Sequence, residues 1–436
     1  MKRFFTTLRN IFSIEDLRVR ILNTIGYLVI FRLGSYVVLP GVDPLKLTGN
    51  TGGIFDLLNT FLGGSFNRAS IFALGIMPYI SASIVVQLLT VAVPHFTKMQ
   101  KEGESGRKKL NQFTRVLTIF ITGAQSYGYL KATINQDAIL QPGIFFTLSS
   151  MALIIAGTMF CMWLGERITD KGIGNGISML IMIGIVSRFP NAIFQEIGAK
   201  GTQGLLLFIL ESLALFFVVV GVIALTQATR KIPVQYAKQV VGNKLYGGKR
   251  DFIPLKLNSA GVMPIIFAQA LMFIPPLIAG IWRETDLGAY VGSTFADFTS
   301  WQYNLLFGVL ILMFTFFYTA ITVPSNDIAD NLKRNGGFIP GIKPGKQTAE
   351  FIDSILSKIT LPGAIFLAIV AILPAFAVRA GITQSFAQFY GGTSLLILVG
   401  VVLDTLQQIE SYLLMRHYEG MMKSGRVKGR SQFGAA

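Results

Sequence analysis

Charge is scarce in this sequence. Only 14% of its 436 residues are Asp, Glu, Lys or Arg, where an ordinary soluble domain carries about 25%. Charge this sparse, gathered into separate clusters, leaves most of the chain with no water to face. Cysteine is rarer still. Cys161 stands alone inside an apolar run, which excludes an internal disulfide and gives it a packing role. The only histidines are His95 and His417. No metal set can be assembled from them and one buried thiol, so no cofactor or metal is expected, and no catalytic constellation is present. Gly341-Ile-Lys-Pro-Gly345-Lys346-Gln347 is one residue short of a phosphate loop, and Gln347 stands where magnesium needs Ser or Thr. Gly172-Ile-Gly174-Asn-Gly176 has neither the spacing nor the preceding strand of a dinucleotide fingerprint. No cleavable signal peptide is expected, because Met1 to Arg20 is amphipathic and charged.

Apolar residues are abundant. They make up 52% of the chain, with 45 Gly and 35 Phe, and the mean hydropathy is +0.57. Glycine and aromatics at this level suit packed membrane helices. A spanning helix needs about 20 mostly apolar residues. Suitable runs lie near 21–39, 71–93, 114–130, 146–166, 172–187, 204–227, 259–283, 303–323, 360–379 and 393–413. The spacing thus predicts an all-α integral membrane protein of ten transmembrane helices.

The net charge of +16 is explained by orientation. Lys46, Arg68, Lys131, Arg188, Lys200, Arg283 and Arg379 fall on one side of these spans, and Arg32 falls within the first. Every other basic residue of the 38 falls on the opposite side. Cytoplasmic loops collect Lys and Arg, so both termini are expected in the cytoplasm. Ten spans divide into two inverted five-helix halves, a pairing that can be related by an axis in the membrane plane. The expected organisation is an N-terminal half at 1–187, an external hinge loop at 188–203, a C-terminal half at 204–413 and a cytoplasmic tail at 414–436. Inverted halves also suit a secondary transporter of a small solute. Such a transporter needs acids near the midplane. Glu211 is the residue to watch, since most other ionisable groups lie near span ends.

Three segments do not span. Residues 54–62 are too short, yet Ile54, Leu57, Leu58 and Phe61 share one helical face and Gly63-Gly64 breaks it, as in a re-entrant segment. The cytoplasmic loops 228–257 and 324–359 are longer than turns require. The first holds Arg230, Lys231, Lys238, Lys244, Lys249 and Arg250, the second Lys333, Arg334, Lys343 and Lys346. Their charge either only enforces topology or docks a large acidic partner.

The motifs carry a resemblance. Ser70-Ile-Phe-Ala-Leu-Gly-Ile-Met-Pro-Tyr-Ile-Ser-Ala-Ser83 and Lys101-Glu-Gly-Glu-Ser-Gly-Arg107 resemble the second span and following turn of the SecY family. Gly165-Glu-Arg-Ile-Thr169, Gly172 to Ser178, Pro254 to Pro264, Gly337 to Gly345 and Gly391 to Ile397 resemble its later motifs, in order, over nearly the whole chain. The resemblance implies a clamshell channel through which unfolded preproteins cross the cytoplasmic membrane of a bacterium, or leave sideways into lipid. It places a closed apolar waist on Ile76, Ile80, Ile181, Ile185, Ile266 and Ile397. It makes 54–62, with Ile54, Phe55, Leu57, Leu58 and Phe61, a plug under that waist; a fixed lid helix is the alternative. It sets the lateral gate between spans two and seven, where Gln87 and Gln269 are candidate lining residues. It implies small SecE- and SecG-type membrane subunits, the motor ATPase SecA and the ribosome as partners, with ATP hydrolysis left to the motor. Lys343 replaces the family's usual arginine and keeps the charge without the bidentate fork. Tyr418 in the tail is retained.

Overall fold

The computed structural model describes residues 14–47, 62–134, 136–201, 204–236, 239–241, 244–246, 250–272, 290–291, 294–295 and 297–423. The chain forms two compact units. The first is Met1–Thr51, Leu58–Arg188 and Gly400–Ala436, the second Gly52–Leu57 and Phe189–Val399.

The first unit holds α1 (Glu15–Gly34), α2 (Met77–Ala92), α3 (Pro94–Lys101), α4 (Glu104–Thr133), α5 (Ile144–Lys171) and the first half of α6 (Gly176–Lys200). It also takes the later turns of α13 (Gly392–Lys423). The apolar run at 71–93 begins before its helix does. Gly75, at φ +50, and Pro78 stop α2 from extending backwards. Residues 62–76 instead form buried turns tied to the chain after α1, with Ile71 N–H donating to Val37 O at 2.9 Å and Leu39 N–H to Ala69 O at 2.8 Å. Pro94 then breaks the path between α2 and α3, which meet at 99° around an extended Val93; the residue before a proline avoids helical geometry. α4 packs on α2 and α5. Its buried Thr114, Thr118 and Thr122 each donate to the carbonyl four residues back, so the hydroxyls need no water. Near the end of α4, Tyr129 Oη donates to Phe66 O at 2.6 Å inside a core that includes Leu39, Leu62, Leu74 and Ile154.

The second unit holds the end of α6, then α7 (Leu205–Gln227), α8 (Met263–Leu271), α9 (Trp301–Thr322), α10 (Ser325–Arg334), α11 (Lys346–Arg379), α12 (Gln384–Ala387) and the start of α13. α9 packs on α8 and α11. α6 continues to Lys200, so most of the segment expected as an external loop is helical.

The two long polar loops supply β-structure that an all-α expectation did not include. β1 (Thr229–Tyr236) pairs antiparallel with β4 (Arg250–Lys256), from Thr229 opposite Lys256 to Gln235 opposite Arg250. On its other edge β1 meets β5 (Gly337–Phe338) of the second loop. β2 (Gln239–Val241) and β3 (Lys244–Tyr246) form a separate antiparallel pair. Alternation explains the sheet. Ile232 and Val234 turn inward onto Leu255, Leu332, Ile352 and Leu356, while Arg230 and Lys231 remain exposed.

Each apolar run contains a helix, and among the described residues six helices are long and apolar enough to cross a membrane. The α2–α3 pair makes seven if it counts as one broken span. α1 is diluted by Arg18, Arg20 and Arg32, and α4 by Arg107, Lys108, Lys109 and Arg115 in its first half and by Gln125, Ser126 and Lys131 in its second. α8, Met263–Leu271, is only nine residues long and is capped at Met272. α7 settles which solvent surrounds these helices. Its most apolar stretch has a mean hydropathy of 2.8, yet only 11% of it is buried. With Leu206 81% exposed on α7 and Phe145 84% exposed on α5, these faces need hydrocarbon around them.

Candidate functional site

The six isoleucines expected at a waist lie at defined points of four helices. Ile76 is the N-cap of α2 and Ile80 lies one turn on, both buried. Ile181 and Ile185 are one turn apart on α6, also buried, Ile185 completely. These four belong to the first unit. In the second, Ile266 on α8 is half-buried and Ile397 on α13 is buried. Spacing of four residues puts each pair on one helical face. Branched aliphatic side chains at these points offer no hydrogen-bond partner to anything they touch.

The position of α6 is fixed by the glycine-rich joint before it. Asn175 Oδ1 accepts from Ile177 and Ser178 N–H at 3.1 and 3.3 Å, the work of an N-cap. Gly176 N–H donates to Thr169 Oγ1 at 2.9 Å. Ile173 N–H donates to Thr24 Oγ1 of α1 at 3.0 Å, and Gly174 N–H to Gln408 Oε1 of α13 at 2.8 Å. Arg20 reaches Gly172 O at 3.3 Å and lies over the Tyr412 ring. The joint that fails as a nucleotide motif is thus a knot of backbone donors held by three helices. Its tightest point is Gly176, where a Cβ would fall 1.9 Å from Gly165 O. Gly176→Ala is expected to destabilise the chain by about 1–3 kcal/mol through overpacking, measured by thermal aggregation in detergent. Gly26→Ala, with open space around it, is the control that should change little.

Gln87 and Gln269 occupy different surroundings. Gln87 is half-buried on α2 and donates to Ser83 Oγ at 3.3 Å. Gln269 is buried on α8, where its Oε1 accepts from Thr393 Oγ1 of α13 at 2.9 Å. It also lines a small cavity with Asn304, Gln388 and Ser394. Sequence reasoning missed Thr393, although it lies within the recognised Gly391-to-Ile397 motif.

Glu211, the acid expected to matter if ions were coupled, is an ion-pair partner. Lys200 sits between Glu211 and Glu196, with Lys200 Nζ 2.8 Å from Glu196 Oε1. Thr383 donates to Glu196 through both its N–H and its hydroxyl, and Tyr390 Oη donates to Glu211 O at 2.5 Å. The group ties α6 to α7 and to the chain before α13. Glu196 was missed because the run 172–187 was expected to end before it.

On the loops, Arg230 and Lys231 are exposed on β1, Lys333 and Arg334 at the end of α10, Lys343 in the turn before α11 and Lys346 at the start of α11. Lys244 and Arg250 belong to β3 and β4, and Tyr418 to α13. Lys238 and Lys249 lie outside the described residues, as do Ile54, Phe55, Leu57, Leu58 and Phe61 of the expected plug.

Known proteins are similar to this chain in sequence and in fold. The SecY family profile matches residues 70–406. The chain belongs to the SecY family. The protein translocase subunit SecY of Halalkalibacterium halodurans is 44% identical over 431 residues, covering 96% of this chain and 100% of the relative. A solved structure of a protein conducting channel matches with a TM-score of 0.60 at 17% identity, over 90% of this chain and 92% of that one. A second, of a SecY protein whose plug domain stabilises the closed state of the translocation channel and maintains a membrane seal, matches with a TM-score of 0.59 at 16% identity and the same coverage. SecY membership sets the small-solute transporter aside, in keeping with a Glu211 already committed to Lys200.

Proposed function

We infer that this SecY protein is the protein-conducting channel subunit of a bacterial translocase, carrying unfolded preproteins across the cytoplasmic membrane and releasing hydrophobic segments sideways into lipid. The full-length likeness to a translocase subunit carries this reading. The chain itself is not an enzyme, and ATP hydrolysis belongs to a partner motor. Ten spans in two inverted halves form the clamshell, with both termini in the cytoplasm. Ile76, Ile80, Ile181, Ile185, Ile266 and Ile397 form its closed waist, and 54–62 is the plug. An aliphatic constriction dewets and so resists ions. It also yields to any side chain without selecting a sequence. Gln87 and Gln269 line the lateral gate. Interhelical amide contacts are worth about 0.6–2 kcal/mol, weak enough for a hydrophobic signal segment to displace. The exposed Arg230, Lys231, Lys333, Arg334, Lys343 and Lys346 dock the motor SecA or the ribosome, while SecE- and SecG-type subunits bind within the membrane.

A stalled preprotein tests the waist directly. With single cysteines placed in turn at the six isoleucines, a translocating chain that also carries a cysteine is expected to form disulfides at all six. Cysteines at Leu206 and Phe145, exposed on α7 and α5, should form none. Crosslinking confined to those outer positions would refute the assignment.

A further inference from the structure

Basic residues are rare on the side of the spans where Arg68 falls, yet Arg68 and Arg32, from the end of α1, meet on one backbone turn. Arg32 Nη1 donates to Gly63 O at 3.4 Å and Arg68 Nη2 donates to the same oxygen at 3.1 Å. Arg68 Nε also donates to Gly64 O at 3.2 Å. Both guanidinium groups lie over the ring of Tyr36, at 5.6 and 4.2 Å from its centroid. Among the described residues neither arginine makes a salt bridge.

The turn they hold is a close fit. Gly63 and Gly64 have φ of +63 and +88, a region glycine enters without steric cost. A Cβ on Gly63 would fall 2.4 Å from Arg32 Nη1, 3.0 Å from Gly184 Cα and 3.0 Å from Ser187 Oγ. The turn therefore rests on α6 at Gly184, one residue before Ile185 and three after Ile181. Arg32 lies in the last turn of α1, where the helix dipole favours a cation. The dipole does not explain why a second cation, from another segment, reaches the same oxygen.

We propose that Arg32 and Arg68 are positioning residues of the channel, clamping the Gly63–Gly64 turn onto α6 and so keeping the Ile181–Ile185 face in its sealed position. The clamp rests on the reading of those isoleucines as part of the waist. Guanidinium suits the task, because a planar fork donates to two carbonyls while stacking on an aromatic ring. Lysine keeps the charge and some donors but loses the stacking.

Idle-channel conductance in planar bilayers tests the clamp, using the full chain with its small membrane subunits. The Arg32→Met, Arg68→Met pair is expected to raise conductance about tenfold, equivalent to 1.4 kcal/mol in a closed-to-open equilibrium. The Arg32→Lys, Arg68→Lys pair should recover most of the seal. Gly63→Ala keeps both arginines but pushes the turn off Gly184, and should also leak. Ile80→Asn serves as reference. A tight methionine pair beside a leaking Ile80→Asn overturns the clamp and leaves the waist standing; tight channels throughout overturn both. Should the methionine pair fail to accumulate, a tight Gly63→Ala channel alone overturns the clamp.

Discussion

Replacing Ile80 and Ile266 together with asparagine will raise the resting ion conductance of the reconstituted channel by at least an order of magnitude and relax its selection of signal sequences. The expectation rests on what an aliphatic constriction does to water. Lined by isoleucine, it holds no hydrogen-bond partner, so a narrow aqueous column empties and an ion must cross unsolvated. An asparagine amide buried there costs a few kcal/mol unless it is hydrogen-bonded, and the readiest partner is water. Retaining water lowers the barrier, and only about 1.4 kcal/mol is needed for each tenfold in rate. Ile80 is buried on α2 and Ile266 half-buried on α8, so one change is made in each unit. The control is Val85→Asn on the exposed side of α2, which should leave conductance near the parent value. An unchanged double variant would mean that these two side chains do not line the barrier.

How much of this was legible beforehand depended on the range over which each signal acts. Apolar runs report on single helices, and among the described residues each run contains helix. The alternating Lys and Arg count reports on loops, and the clusters it found include exposed residues on β1, α10 and α11. The sheet was hidden by composition: Thr229 to Tyr236 reads as a charged loop until Ile232 and Val234 are seen facing one core. The late start of α2 was written locally, in Gly75 and Pro78, but a hydropathy run does not weigh turn geometry. Other features need tertiary partners. Lys200 counted as one more external cation, although two acids, one from α7, bury its charge. Thr24 and Gln408 were unremarkable polar residues until the joint before α6 brought its N–H groups to them. Sequence periodicity carries no trace of a donor offered by a segment 149 or 234 residues away.

The Lys200 group supports the second large expectation. Lys200→Met should destabilise the second unit by about 3–5 kcal/mol, because it leaves two carboxylates with no counter-charge in a site water barely reaches. Glu196 is fully buried, and the side chains of Lys200 and Glu211 are only 10% and 9% exposed, so solvent screens little of this cost. Glu211→Gln should cost far less, since Glu196 keeps both Lys200 and the two Thr383 donors. Combining Lys200→Met with Glu196→Gln and Glu211→Gln should recover most of the loss, as neutral replacements of buried ion groups commonly do. Thermal unfolding of the purified channel in nanodiscs ranks the variants. Preprotein export at a permissive temperature then separates structure from transport chemistry. If the three residues only brace α6, α7 and the chain before α13, the triple variant exports normally once it is folded. A triple variant as stable as the parent yet dead in export would give this charged group a direct part in moving the substrate, which a structural brace does not have, and Glu211→Gln alone then tells whether Glu211 carries it.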